Sequence, residues 1–167
     1  MKILFLNDRE FILFLNEFYS SELDLESKEN LEKYFRKLFL KIHKYYNIVL
    51  TGYYNIHLYH DMNYGVIIKI NREDLDYYDY FDNGVDMVDM CILVEKQDGF
   101  LYRFEDYLEV EPNILKKGML YRYQNKFYLR LKEKVRTMEL GKVLEFSEIV
   151  YENLDTILKQ GEVLKIV

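Results

Sequence analysis

The sequence predicts an α+β protein. It reads as two small units, each an antiparallel sheet with helices, joined by an acidic connector. Three observations carry that reading. Seven acidic residues and no Lys or Arg fall between Glu73 and Met90. The flanks are close to neutral, with ten basic and nine acidic residues before the block and thirteen of each after it, so the block's charge of −7 accounts for the chain's net −6. A run of like charge repels itself and resists burial. Short alternating apolar runs punctuated by polar turns recur on both sides of the block, as hairpins do. One stretch of helical periodicity interrupts the first set of strands.

The expected boundaries are residues 1–72 for an N-terminal ββαββ domain, 73–90 for the connector, and 91–167 for a C-terminal ββαββααβ domain. Apolar runs at 1–6 and 11–15 flank Asn7-Asp8-Arg9-Glu10. They fit a hairpin over a polar turn, although Phe11, Leu15 and Phe18 also have near-helical spacing. Ser27 opens a clearer helix, in which Leu31, Phe35, Leu38, Ile42 and Tyr45 recur at three- and four-residue steps. Acidic residues gather at its start and basic ones at its end, which suits the helix dipole, and Asn47 is a natural stop. Tyr54, Ile56 and Leu58 then alternate with Tyr53, Asn55 and His57, ahead of a turn at residues 61–65 and a strand through Val66, Ile68 and Ile70.

Beyond the block, residues 87–95 and 100–104 read as strands around Asp98-Gly99. Glu105 and Asp106 open a short helix expected to end near Pro112. Residues 119–123 and 127–131 form a hairpin. Residues 133–145 are helical in spite of Gly141, which costs about 1 kcal/mol relative to Ala. A last helix over 153–160 ends at Gly161, before a strand at 163–167.

Half the residues are hydrophobic, so the chain is globular. Units of this size bury only about 60% of their unfolded surface, so docking or partner binding would matter to their stability. The single cysteine, Cys91, excludes an internal disulfide and fits a reducing cytoplasm. Its apolar neighbours predict a buried strand thiol. No apolar run approaches the roughly 20 residues of a membrane-spanning helix, and no signal peptide is evident. An overall negative charge disfavours unspecific binding to nucleic acid or to an anionic membrane.

Motifs for chemistry are sparse. An EF-hand alignment on Gly84 places Phe81 at the third ligand position and Met90 at the twelfth, which excludes the loop. His57 and His60 are three apart on a predicted strand and so point to opposite faces, which excludes a shared zinc. The seven glycines form no phosphate-binding loop. Glu105-Asp106 and Glu109-Val110-Glu111 read as caps and solvated surface in preference to paired catalytic carboxylates. No cofactor or metal is expected. Tyr77, Tyr78, Tyr80 and Phe81 stand among the acids of the connector. Aromatic side chains in such a setting are expected contacts for a partner or for the domains.

Six segments resemble the MecA adaptor family of the bacterial Clp protease system. "MKILFLNDREFILFL" and "TGYYNIHLYHDMNYGVIIKI" are similar to its two N-terminal hairpins. "LYRFEDYLEV" is similar to its aromatic-acidic YxFxDFEDV segment, and "GMLYRYQNKFYLRL" to its LYxYxGKYYLxL hairpin. "LEFSE", followed by "ILKQGEVLKI", resembles its LxEYGE and LxEYGKxI segments, with Ser147 where that family tends to have Gly. The resemblance implies a cytoplasmic, non-enzymatic adaptor. Its N-terminal domain would recognise a substrate protein, and its C-terminal domain would bind a Clp-type AAA+ unfoldase. By residue match, Phe104, Glu105, Asp106, Tyr107, Tyr121 and Tyr123 would face the unfoldase. Tethering two weak sites raises their joint affinity without new contacts. Two other readings compete: an acidic inhibitor module for a basic protein, resting on residues 73–90, and a small enzyme with its site between the halves. Sheet edges without proline leave homodimerisation open.

Overall fold

The computed structural model describes residues 1–73, 88–95 and 99–166. Within it the chain divides into a first unit drawn from Met1–Tyr59 and Gly65–Lys96, and a second drawn from His60–Tyr64 and Gln97–Val167. Each unit holds a five-stranded sheet with helices, as expected of two small α+β units.

In the first unit, β1 (Lys2–Phe5) and β2 (Glu10–Asn16) form the expected hairpin. The side chain of Asn7 fixes the turn, its Oδ1 accepting the N–H groups of Arg9 and Glu10 at 2.8 and 2.9 Å. A single helical turn, α1 (Glu17–Ser20), leads to α2 (Lys28–Tyr46). Ser27 caps α2 by accepting the Asn30 N–H, and Asn47 ends it in the left-handed conformation. Leu31, Phe35, Leu38, Phe39 and Ile42 line its buried face, whereas Tyr45, expected there, is exposed.

The strands β3 (Gly52–Asp61) and β4 (Gly65–Arg72) complete the antiparallel part. The sheet order is β1-β2-β4-β3-β5. Gly65 is required opposite Asn16: its φ is +118°, and a Cβ there would lie 2.4 Å from the Leu15 carbonyl oxygen. Phe11, Leu13 and Leu15 oppose Ile70, Ile68 and Val66 across the sheet, and their side chains join the α2 face in one core.

The expected boundaries move at β5 (Val88–Glu95). This strand does not open the C-terminal domain. It pairs in parallel with β3, from Gly52↔Val88 to Tyr59↔Glu95, and so belongs to the first sheet. Met90 reaches the core, and Val88, Ile92 and Val94 pack against it. The intervening residues take the other face, so Cys91 is exposed and not a buried thiol. Strand alternation decides this, and a run of five apolar residues hides it.

The second unit has the order β10-β7-β8-β6-β9, with every pairing antiparallel. Its strands are β6 (Leu101–Phe104), β7 (Gly118–Tyr123), β8 (Lys126–Leu131), β9 (Glu148–Val150) and β10 (Glu162–Leu164). The strand string is therefore not the expected ββαββααβ: the first strand is lost to the other sheet, and β9 is gained. Gln124 and Asn125, both at positive φ, make a two-residue turn between β7 and β8. Pro112 starts the single-turn helix α3 (Pro112–Leu115) and does not end one, because proline at the first helical position gives up an N–H that has no partner there anyway. The helices α4 (Thr137–Phe146) and α5 (Leu154–Gln160) follow.

Both faces of this sheet carry core. Tyr102, Phe104, Leu120 and Leu129 pack with Val110, Ile114, Leu140 and Val143 on one side. Leu101, Tyr121 and Tyr128 pack with Leu154 and Ile157 on the other.

Residues 60–64, the tip of the β3–β4 hairpin, supply the second unit with its buried polar knot. Asp61 Oδ1 accepts the N–H groups of Asn63 and Tyr64, each at 2.7 Å, and the Tyr102 hydroxyl at 3.3 Å. Its Oδ2 accepts the Phe100 N–H at 2.8 Å. Burial, and then the adjacent Asp61 charge, push the Tyr102 hydroxyl well above the ordinary tyrosine range, so it serves as a donor. Asn63 Oδ1 accepts the Val135 N–H at 2.8 Å, and its Nδ2 donates to the Glu133 carbonyl at 3.3 Å. Among the described residues, every buried side-chain polar atom has a partner.

Candidate protein-binding surface

The residues singled out in "LYRFEDYLEV" begin at the C-terminal end of β6. The register Phe104↔Phe127 and the turn at Gln124-Asn125 place this end of β6 beside the tip of the β7–β8 hairpin. Glu105, just past the strand, is exposed and pairs with Lys126 at 2.9 Å. The hydrogen bond from Lys126, then its charge, hold the Glu105 carboxyl below its ordinary range, so it is an anion at neutral pH. Asp106 is also exposed. Its Oδ1 accepts the Leu108 N–H at 2.9 Å and caps the 3₁₀ turn Tyr107–Glu109. Tyr107 is half-buried, with its ring edge-on to Phe127 and the centroids 4.8 Å apart. The turn therefore pins its tyrosine down and presents Leu108 outward at 73% exposure.

The other expected partner-facing residues divide. Phe104 and Tyr121 are buried, on opposite faces of the sheet, and each belongs to a core. Aromatic strand residues in a sheet covered on both faces have no surface to offer, and this corrects their expected place at an interface. Tyr123 is half-buried near the hairpin tip, its hydroxyl 3.4 Å from Gln160 Oε1. The surface left to a partner is Glu105, Asp106, Leu108 and Glu109, with Lys126 and the Gln124-Asn125 tip beside them. Leu108 was missed in the sequence, although an aliphatic residue set among Asp106, Glu109 and Glu111 was a usable signal.

No protein-family model, no curated protein and no solved structure matches the chain.

The other side chains considered for chemistry stay apart. His57 lies 3.9 Å from Glu95, and His60 is exposed. The Asp61 carboxylate, next to His60 in sequence, is committed to four donors. Among the described residues, no three His, Cys, Asp or Glu side chains are placed to share a metal ion. No helix among them is long and apolar enough to cross a membrane. Tyr77, Tyr78, Tyr80 and Phe81, with the rest of the acidic block between Glu73 and Val88, lie outside the described residues. At its margins, the Glu73 carboxylate accepts from Asn55 Nδ2, and the Glu73 N–H donates to the Tyr53 carbonyl at 2.9 Å.

Proposed function

We propose that this chain is a non-enzymatic protein–protein adaptor: the first unit captures a substrate protein, and the second presents it to a Clp-type AAA+ unfoldase. The observation that supports the reading is the pair of separate cores, each built on its own five-stranded sheet. A protein with two such bodies can hold two partners with no chemical step, because each bound partner raises the local concentration of the other. The six short sequence resemblances supply the class of partner. The exposed Leu108 among acidic neighbours supplies a contact: an apolar anchor with charges around it that steer encounter.

The test is binding of the full chain to a purified Clp-type AAA+ unfoldase, followed by fluorescence anisotropy and by the unfoldase's ATPase rate. A saturable complex is expected. Charge reversal at Glu105 (Glu105→Lys) together with Leu108→Ser should weaken it about tenfold or more. Both side chains are exposed, so the fold should survive, and circular dichroism would check this. Absence of a complex, or equal binding by the double variant, would remove the reading.

A further inference from the structure

The first unit carries its own basic face. With 3.6 residues per turn, Lys33, Arg36, Lys37, Leu40, Lys41 and Lys44 fall on one arc of α2 of about 140°. All six are exposed. The core residues Leu31, Phe35, Leu38, Phe39 and Ile42 fall on the opposite arc. Glu29 pairs with Lys33, at the N-terminal end of the stripe, at 2.5 Å. The result is a cationic ridge on a protein of net charge −6.

The ridge is not uniformly charged. Leu40 stands in its middle at 70% exposure, and Val49 and Tyr45 are exposed nearby in sequence. Beside Leu40 a groove of about 400 Å³ opens between α2 and the residues that follow it, lined chiefly by Phe39, Leu40, Val49, Leu50 and Val88. Arg36 marks one polar point of its wall, where the guanidinium donates to the Val88 carbonyl at 2.7 Å. His43 marks another, with Nδ1 3.2 Å from the Ile48 carbonyl oxygen. On the other flank of the ridge a second groove of about 500 Å³ takes in Glu22, Asn30, Tyr34, Lys37 and Lys41.

We infer that this face of α2 is a docking surface for an acidic polypeptide segment that carries aromatic or aliphatic side chains among its carboxylates. Charge complementarity selects the sign of the partner: four lysines and an arginine in one stripe attract carboxylates and repel basic segments. The apolar groove selects its second property, because a space of that size takes one bulky side chain and rewards its removal from water. A polyphosphate backbone would satisfy the lysines and leave Leu40, Val49 and Leu50 unused. The inference concerns α2 alone and goes beyond the adaptor proposal. It names the chemistry of what the first unit holds, whether or not the second unit binds an unfoldase.

The experiment is anisotropy of the full-length chain with three labelled probes of equal length. One is a synthetic peptide of Asp, Glu and Phe, the second is the same peptide with Ser for Phe, and the third is a single-stranded oligouridylate. The Phe-containing peptide should bind most tightly and should lose affinity as salt rises through the range that screens surface charge. Lys37→Glu with Lys41→Glu should weaken it about tenfold. Leu40→Ser should weaken the Phe peptide severalfold and leave the Ser peptide unchanged. These side chains are exposed, so circular dichroism of each variant should match the parent. Equal binding of the two peptides, or indifference to the α2 variants, would overturn the inference. Tighter binding of the oligouridylate, lost in the same variants, would also overturn it and assign the ridge to nucleic acid.

Discussion

The two sheets solve the same problem in different ways. The first builds its main core on one side, where α2 covers Leu13, Leu15, Tyr54, Ile56, Val66 and Ile68. Its other pleat is mixed: it carries Asn55, His57, Lys69 and Asn71 and exposed Cys91 and Leu93, together with buried Ile12, Tyr59 and Ile67. The second is covered on both sides, by α3 and α4 residues over one face and α5 residues over the other. Alternating sequence is the signature of a sheet with one apolar face, and mixed or continuous apolar runs are the signature of burial on two. The comparison also locates what is available to partners. A sheet whose main core is covered by one long helix leaves that helix a whole outer face, as α2 has. The second sheet, covered by short helices, also has an exposed end at Glu105–Glu109.

The largest expected effect breaks the first core from the helix side. Phe35 is fully buried at the centre of the α2 face. Phe35→Ala removes that ring and leaves a cavity, so a loss of about 3–5 kcal/mol is expected. That is a large share of a small unit's stability. Urea unfolding followed by circular dichroism would measure it. If the two cores unfold separately, one transition moves and the other stays. A single transition that moves as a whole would show the cores to be cooperative and would blunt the contrast between them.

The next effect falls on the second unit. Asp61→Ala strips the acceptor from three backbone N–H groups and from the Tyr102 hydroxyl. Donors left buried without a partner cost more than the bonds themselves contributed, so a loss of about 3 kcal/mol is expected. Asp61→Asn, which keeps the shape and an acceptor oxygen, should recover part of it. An unfolding midpoint unmoved by Asp61→Ala would mean that water replaces the carboxylate and that the knot is no keystone.

What was legible in the sequence follows the same division. In the first unit the alternation of Tyr54, Ile56 and Leu58, the spacing of Leu31, Phe35 and Ile42, and the caps at Ser27 and Asn47 are local signals, and they placed the elements correctly. The destination of β5 was not legible. Its apolar run marks a strand, but parallel pairing with β3 is a long-range choice with no local code. Asp61 and Asn63 read as turn formers, which they are. Nothing nearby in sequence shows that Phe100, Tyr102 and Val135 would be their partners. For the candidate surface, Glu105 and Asp106 were found as a solvated acidic pair. Phe104 and Tyr121 were misplaced because an aromatic residue on a strand reads alike whether helices cover one face of the sheet or both. The basic residues of α2 are legible in sequence only as suiting the helix dipole. The groove beside Leu40 depends on Val49 and Val88, which only the fold brings to it.

The smallest expected effect concerns acid. Glu139 sits in the first turn of α4, where its carboxylate accepts the Arg136 N–H at 2.9 Å and meets Lys117 Nζ at 2.9 and 3.0 Å. The Arg136 N–H first, and then the Lys117 hydrogen bond, hold its pKa below the ordinary value of 4.5. A carboxyl whose folded pKa is depressed binds its proton more readily when unfolded. Its contribution to stability is therefore complete above that ordinary value and is lost as pH falls through the folded one. Glu139→Gln should leave a shallower fall of the second unit's stability below about pH 4.5, with a modest offset at neutral pH, because the amide still caps the Arg136 N–H but gives up the charge facing Lys117. Urea midpoints at a series of pH values would show this as two curves that converge as the acid strengthens. Curves that stay parallel would mean that Lys117 and Arg136 do not distinguish the ionised from the neutral carboxyl. The link between α4 and the lysine preceding β7 would then rest on packing alone.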